Sequence, residues 1–303
     1  MTTKNAYHIP VLASEAIEGL SVTHGGVFVD ATFGGGGHSR LILEKLTGGK
    51  LVAFDQDVEA EANKPDDDRM VFFGHNFRFM KNFLKLFGLL PVDGILADLG
   101  VSSYQFDVPE RGFSTRFDGP LDMRMDKNAA LTASAIVNDY APERLIQILK
   151  NYGELPNAKI LAKTLVRQRA IKRIETTGHL KDLLVRHSQR GKENKFMAKV
   201  FQALRIEVNN ELEALKEFLL QSTEVLRPGG RLVVISYHSL EDRLIKNFMK
   251  AGNFEGILEK DFFGNPITPL APVGKKTMAN QAEIEKNSRA RSAVLRVAEK
   301  RTG

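Results

Sequence analysis

Apolar residues in the first hundred positions come in short runs, and three of the runs close on a carboxylate. The run at 27–29 ends at Asp30, that at 51–54 at Asp55 and that at 94–97 at Asp98, and a further run covers 70–73. Short apolar runs bounded by turn signals read as strands buried on both faces. Between them, 39–46 and 77–87 carry helical spacing. Strands and helices alternating over short connections predict a parallel, doubly wound sheet. The rhythm breaks after Asp98: 99–127 read as a loop rich in Gly, Ser, Asp and Arg, and 132–205 as mostly helical. It returns with a helix over 210–226, stopped by the string RPGG at 227–230, then a strand at 231–235, a helix near 240–249 and an alternating final strand at 293–297. The expected architecture is a discontinuous α/β domain, 1–108 with 206–303, carrying an inserted loop and helical domain at 109–205.

Composition narrows the chemistry. Of 303 residues, 43% are hydrophobic and 26% charged, the proportions of a folded globular protein. There is no cysteine, which excludes disulfides, thiolate-held zinc or iron–sulfur centres and any sulfur nucleophile. No apolar run reaches the roughly 20 residues needed to span a bilayer, and the first ten residues lack a signal-peptide core. A cytoplasmic protein with no membrane partner is expected.

The net charge is +6, and it is localised. Residues 157–199 hold twelve Lys/Arg against three acids, so the rest of the chain is net acidic. Ile160, Leu161, Leu165, Ile171, Leu180, Leu183 and Leu184 recur there at helical spacing, which predicts two or three amphipathic helices with cationic outer faces. Such a face is either simply solvated or binds a polyanion by neutralising phosphates. A second basic run, KNSRAR, lies at 286–291.

Ligands of a parallel sheet bind beyond the carboxyl ends of its strands. The string DATFGGGGH at 30–38 sits at such an end, where glycines let backbone amides approach a ligand at a helix N-terminus. Asp55, closing the next strand, is placed to accept hydrogen bonds from ribose hydroxyls. A dinucleotide would favour G-x-G-x-x-G, but the third glycine falls at Ser39 or Arg40. An acid before a glycine loop and another after the second strand fit S-adenosylmethionine better. Asp30 either contacts the ligand or anchors the loop by accepting its amides.

The fourth strand leads into DLGVSSYQF at 98–106. Amino-group methyltransferases usually carry Asp/Asn-Pro-Pro-aromatic here, and that motif is absent. Asp98 itself is placed to accept a hydrogen bond from a substrate amine or from the cofactor's ammonium. In the long loop that follows, Phe113 and Tyr104 are suited to stack on a base, and Arg111, Arg116 and Arg124 to hold phosphates. Equally, Phe113 and Met123 are suited to pin the loop to a core. At another strand end, ISYHSLEDR (235–243) offers His238 and Glu241 for acid–base or metal chemistry, or, more plainly, Ser239 as an N-cap with Asp242 closing the capping box. The sequence holds no H-E-x-x-H or other dense ligand string, so no catalytic metal is expected.

Several of these strings together resemble one family. DATFGGGGHS (30–39), DLGVSS (98–103), ERGFS (110–114), DGPLDMRM (118–125), FQALRI (201–206), SLEDR (239–243) and NSRARS (287–292) are similar to the RsmH/MraW family of small-subunit ribosomal RNA methyltransferases, with matches from His8 to about Glu299. The resemblance implies a class I S-adenosylmethionine-dependent methyltransferase with a Rossmann-like sheet and an inserted, mostly helical substrate-recognition domain. It implies transfer to N4 of a decoding-centre cytidine in 16S rRNA within the small ribosomal subunit. Cofactor contacts would fall on Gly36, Gly37 and His38, on Asp55, on Phe77 against the adenine (with Phe79 as its alternate), on Asp98 and on Gln105, and Asp98 is the candidate proton acceptor. Three rivals stand against this: a small-molecule or DNA methyltransferase, which has no need of the basic insertion; a non-catalytic RNA-binding protein, which would not bind the cofactor; and a nicotinamide oxidoreductase, disfavoured by the failed fingerprint.

Overall fold

In the computed structural model, which describes residues 10–302, the alternating parts of the chain form one eight-stranded sheet. Residues 1–9, with His8 among them, and 303 lie outside the described residues. Five strands run parallel: β1 (Val27–Asp30), β2 (Lys50–Phe54), β3 (Met70–Phe73), β4 (Val92–Asp98) and β5 (Leu226–Ser236). Then come β6 (Leu270–Pro272), β7 (Thr277–Met278) and β8 (Val294–Lys300). β8 lies antiparallel beside β5, with β6 and β7 both antiparallel to β8. The order is β3-β2-β1-β4-β5-β8-β6.

The chain divides into two compact units, one of Met1–Gly100 with Leu212–Gly303 and the other of Val101–Glu211. The first contains α1 (Ala13–Leu20), α2 (Gly37–Lys45) and α3 (Met80–Leu86). The second contains α4 (Ser103–Asp107), α5 (Ala133–Asp139), α6 (Pro142–Asn151), α7 (Ala158–Arg169), α8 (Thr177–Leu184) and α9 (Glu193–Asn209). The chain returns through α10 (Glu211–Val225), α11 (Ser239–Ala251) and α12 (Gln281–Lys286). The expected insertion of 109–205 falls inside the second unit, whose edges lie further out on both sides.

The sheet is covered on both faces because its strands alternate two apolar sets. Phe28, Leu51, Ala53, Leu96, Val233 and Ile235 pack on the side of α1 and α2. Val29, Val52, Phe54, Ile95, Ala97, Leu232 and Val234 pack with α3, α10 and α11 through Leu84, Phe218 and Phe248. Side chains of period two force this division, and each fully buried large side chain stabilises the fold by about 1.5–3 kcal/mol.

Two elements differ from the pattern reading. The RPGG string ends α10 but not the sheet contact: β5 already pairs at Leu226 with Val92, and the ladder shifts register before Arg231 meets Gly94. The helix expected from residue 77 opens as a 3₁₀ turn, Phe77–Phe79, capped by the Asn76 side chain accepting from the Arg78 amide.

In the second unit, Leu145, Leu161, Leu165, Leu180, Leu184, Phe201 and Leu204 form the core. Ile160 and Ile171, whose spacing assigned them inward, are 56% and 82% exposed. Along α7 the exposed Lys159, Lys163 and Arg167 follow one another every four residues and make a single cationic stripe.

Candidate active site

β1 and β4 are neighbours where the strand order reverses, so their carboxyl ends open the crevice in which such sheets hold ligands. The turn leaving β1 is tied at both ends. Asp30 is buried and accepts from the Thr32 amide at 3.2 Å and the Ser39 hydroxyl at 2.6 Å. It therefore anchors the turn, and burial holds its carboxyl above the ordinary range. Gly36 caps α2 at φ 73°, a left-handed conformation, and a Cβ there would stand 2.8 Å from the Phe33 ring. Beside Gly35, by contrast, nothing lies within 4 Å of where a Cβ would be, which leaves the backbone open to close approach. The first amides of α2 have no intrahelical acceptor.

Asp55 closes β2 and takes hold of the same turn. Its Oδ2 accepts from the Gly34 amide at 2.7 Å and its Oδ1 from the Asp57 amide at 2.8 Å. Burial raises its pKa to about 6; the two amides oppose that rise, and the charges of Asp57 and Asp30 add to it. The next loop is linked to this one by the Asn76 side chain donating to Gln56 Oε1 at 2.7 Å. That link brings half-buried Phe77, packed edge-on against Phe218 at 5.2 Å, to the strand end beside Asp55. Phe79 is 46% exposed, with the Arg78 guanidinium 5.8 Å from its ring.

Asp98 closes β4. Its amide donates to Thr32 Oγ1 at 2.6 Å, which joins the ends of β1 and β4, and its Oδ1 accepts from the Tyr237 hydroxyl at 2.7 Å. Its pKa is pushed up to about 6, first by burial; His38 and the Tyr237 hydrogen bond counter this, and Asp30 and Glu241 reinforce it. Burial and the Asp98 charge together hold the Tyr237 phenol well above its usual value. His38 is buried: Nε2 donates to the Val11 carbonyl at 3.0 Å, and Nδ1 lies 3.9 Å from Asp98 Oδ2. Gly37 packs on the chain itself, since a Cβ there would stand 3.1 Å from the Pro10 ring.

Asp55, Asp98, His38, the glycine turn and Phe77 thus belong to one end of one sheet. Two carboxylates held near 6, with open space where a Gly35 side chain would stand, fit a cationic ligand bearing hydroxyl donors. Tyr237 escaped the sequence reading although it follows β5 directly, because attention there falls on His238 and Glu241. Those two serve the helix that follows. His238, not Ser239, is the N-cap of α11, its Nδ1 accepting from the Glu241 amide while Glu241 closes the box.

Gln105 belongs to the second unit. It is 3% exposed and completes a capping box with Ser102 at the start of α4, donating its amide to Ser102 Oγ at 3.2 Å and accepting the Ser102 amide at 3.1 Å. The loop aromatics separate. Phe113 and Met123 are in the core of that unit, so Phe113 is not an open stacking platform, while Tyr104 is 53% exposed. Arg111 donates to the carbonyls of Arg124 and Met125, and Arg124 forks onto Asp122. Both arginines are spent on the loop's own structure instead of presenting charge to phosphate. Arg116 remains exposed and pairs with Asp107 at 3.1 Å.

The sheet order, the antiparallel return strand, the helical insertion and the carboxylates gathered around a glycine turn define a Rossmann-like methyltransferase. Comparison with known proteins carries this further. The chain belongs to the MraW methylase family, whose model matches residues 5–301. A ribosomal RNA small subunit methyltransferase H of Flavobacterium johnsoniae is 54% identical over 301 residues, covering 99% of this chain and 100% of the relative. The protein of the same name in Phocaeicola vulgatus is 54% identical over 300 residues, covering 98% and 99%. That of Bacteroides thetaiotaomicron is 55% identical over 297 residues, covering 97% and 98%.

Proposed function

We propose that this chain transfers the methyl group of S-adenosylmethionine to N4 of cytidine 1402 of 16S rRNA. The observation that carries the mechanism is Asp98: a half-buried carboxylate of raised basicity at the end of β4, oriented by Tyr237 and adjoining the glycine turn. When bound, the cofactor supplies an activated methyl on a sulfonium, so the chain's work is alignment and removal of one proton. The N4 lone pair is delocalised into the cytosine ring. A carboxylate accepting from the amine localises that pair, and as the new C–N bond forms it takes the proton the amine loses. A base with pKa near 6 is ionised at neutral pH yet more basic than an ordinary aspartate, which suits it to this step. With no cysteine, attack at cytosine C5 through a thiolate adduct is closed to this chain.

The cofactor is assigned to Gly36, Gly37 and His38, to Asp55 on the ribose hydroxyls, to Phe77 on the adenine, and to Asp98 and Gln105. What supports these roles is the placement of the first six at one sheet end and the family to which the chain belongs. The cationic stripe of α7 supports phosphate binding by the second unit, with the RNA presented in the small ribosomal subunit and the enzyme working in the cytoplasm. Among the described residues no helix is long and apolar enough to cross a membrane. The decisive experiment is mass spectrometry of 16S rRNA nucleosides from cells with and without the protein: N4-methylated cytidine must disappear with it. An unchanged nucleoside profile refutes the reading.

A further inference from the structure

A second cationic surface lies in the first unit, away from the glycine turn. α11 starts at Ser239, two residues beyond the end of β5 after Tyr237 and the N-cap His238, and presents Lys246 and Lys250 four residues apart on one exposed face. Facing them is the segment that joins β6 to β7. Both of those strands pair with β8, and between them the chain leaves the sheet edge: the Val273 amide still reaches the Val297 carbonyl at 2.9 Å, Gly274 turns at φ 68°, and Lys275 and Lys276 stand exposed at the crest. The four lysines border one groove with Met249 in its lining. Arg296 lines it too, but is held by Asp242 through two hydrogen bonds of 2.7 and 3.1 Å. None of the four lysines forms an ion pair among the described residues, and the fold provides no acid inside the groove to offset their repulsion.

We propose that this groove binds a stretch of rRNA backbone flanking the target nucleotide, a phosphate contact on the catalytic unit in addition to that of the inserted helices. This rests on the rRNA reading above. The chemistry favours a polyanion over a single small anion. Lysines are strongly hydrated point charges that meet phosphates without fixed geometry, whereas a dedicated small-anion site would use an arginine fork or a nest of amides. The place favours it as well. At about 1.5 Å per residue, Lys246 and Lys250 lie roughly 10 and 17 Å along α11 from its start beside the candidate active site. A strand leaving that site along the sheet edge meets them in turn.

The test uses the full-length protein with all four lysines changed to Gln, and a companion with all four changed to Arg. The Gln variant should raise KM for 30S subunits at least tenfold at near-physiological salt, with kcat at saturating subunits and affinity for S-adenosylmethionine unchanged. Its salt slope should shrink by about 3, at roughly 0.7 per lost single-strand phosphate contact. The Arg variant should keep the wild-type KM. As a measurement independent of any variant, 30S subunits should protect Lys246, Lys250, Lys275 and Lys276 of the wild-type protein from acetylation. Wild-type KM and slope in the Gln variant, or full acetylation in the presence of subunits, overturns the groove while leaving the function intact. So does protection by anionic vesicles or inorganic phosphate but not by subunits. A wild-type protein inert toward 30S subunits overturns both.

Discussion

The hydroxyl of Tyr237 and Oδ1 of Asp98 are 2.7 Å apart, joining the ends of two neighbouring strands whose residues are 139 positions apart in sequence. The phenol donates to the charged carboxylate, so it favours ionisation of a group that burial drives toward protonation. Hydrogen bonds to charged groups contribute about 1.5–3 kcal/mol, and one pKa unit is about 1.4 kcal/mol. Tyr237→Phe should therefore move the acid limb of kcat/KM upward by about one pH unit, while the rate at pH 8.5 stays near wild type. An acid limb that does not move shows that the phenol has no hold on the reacting carboxylate.

Asp98 also sets activity against stability. Its pKa of about 6 in the fold lies above the ordinary 3.8. The folded state then keeps a proton that the unfolded chain releases between those values, so stability falls as pH rises through that window and the cost is complete above it. Replacing it with neutral Asn should remove that cost. Asp98→Asn should be more stable at pH 8 by up to about 3 kcal/mol, with the gain vanishing near pH 4. Methyl transfer should drop by at least about 100-fold. Urea unfolding at the two pH values checks the first statement and single-turnover transfer the second; near-normal turnover would remove Asp98 from the chemistry.

Asp55 should make cofactor binding pH-dependent. Ribose hydroxyls donate to its ionised form, so affinity for S-adenosylmethionine should weaken as pH falls through about 6, and binding below that pH should release a proton. Asp55→Asn should lose about a factor of ten in affinity at pH 7.5 and most of the pH dependence. Calorimetry in buffers of different ionisation enthalpy reads both effects. A pH-independent wild type would contradict the assignment.

The α7 stripe makes a separate prediction for the second unit. Changing Lys159, Lys163 and Arg167 together to Gln should reduce the salt slope of 30S binding by about 2 and leave the affinity for S-adenosylmethionine untouched. Filter binding across a salt series measures it. A slope equal to wild type would mean that these cations are merely solvated.

The sheet and half of the site are legible in the sequence because one local signal marks both: apolar runs that stop at Asp30, Asp55 and Asp98. What stays hidden depends on partners distant along the chain. That β5 begins at Leu226 follows from pairing with Val92, which no reading of RPGG reveals. Phe113 is apolar in either of its possible roles, and only the core assembled around it removes it from the surface. Ile160 and Ile171 face outward for separate reasons: Ile160 is one position, about 100°, round α7 from buried Leu161, and Ile171 lies in the turn beyond the helix end at Arg169. At α11 the usual preference for Ser as N-cap loses to an imidazole one residue earlier, whose ring nitrogen serves as the acceptor.

The route of the chain through the sheet has a consequence for its synthesis. β4 and β5 are adjacent, yet 99–225 are translated between them, and β8, which lies inside the sheet between β5 and β6, is made after both β6 and β7. At about 5–20 residues per second, a nascent chain displays the unpaired flank of β4 for on the order of ten seconds. Until β5 emerges, that flank is an unpaired strand edge of the kind through which partly made sheets associate.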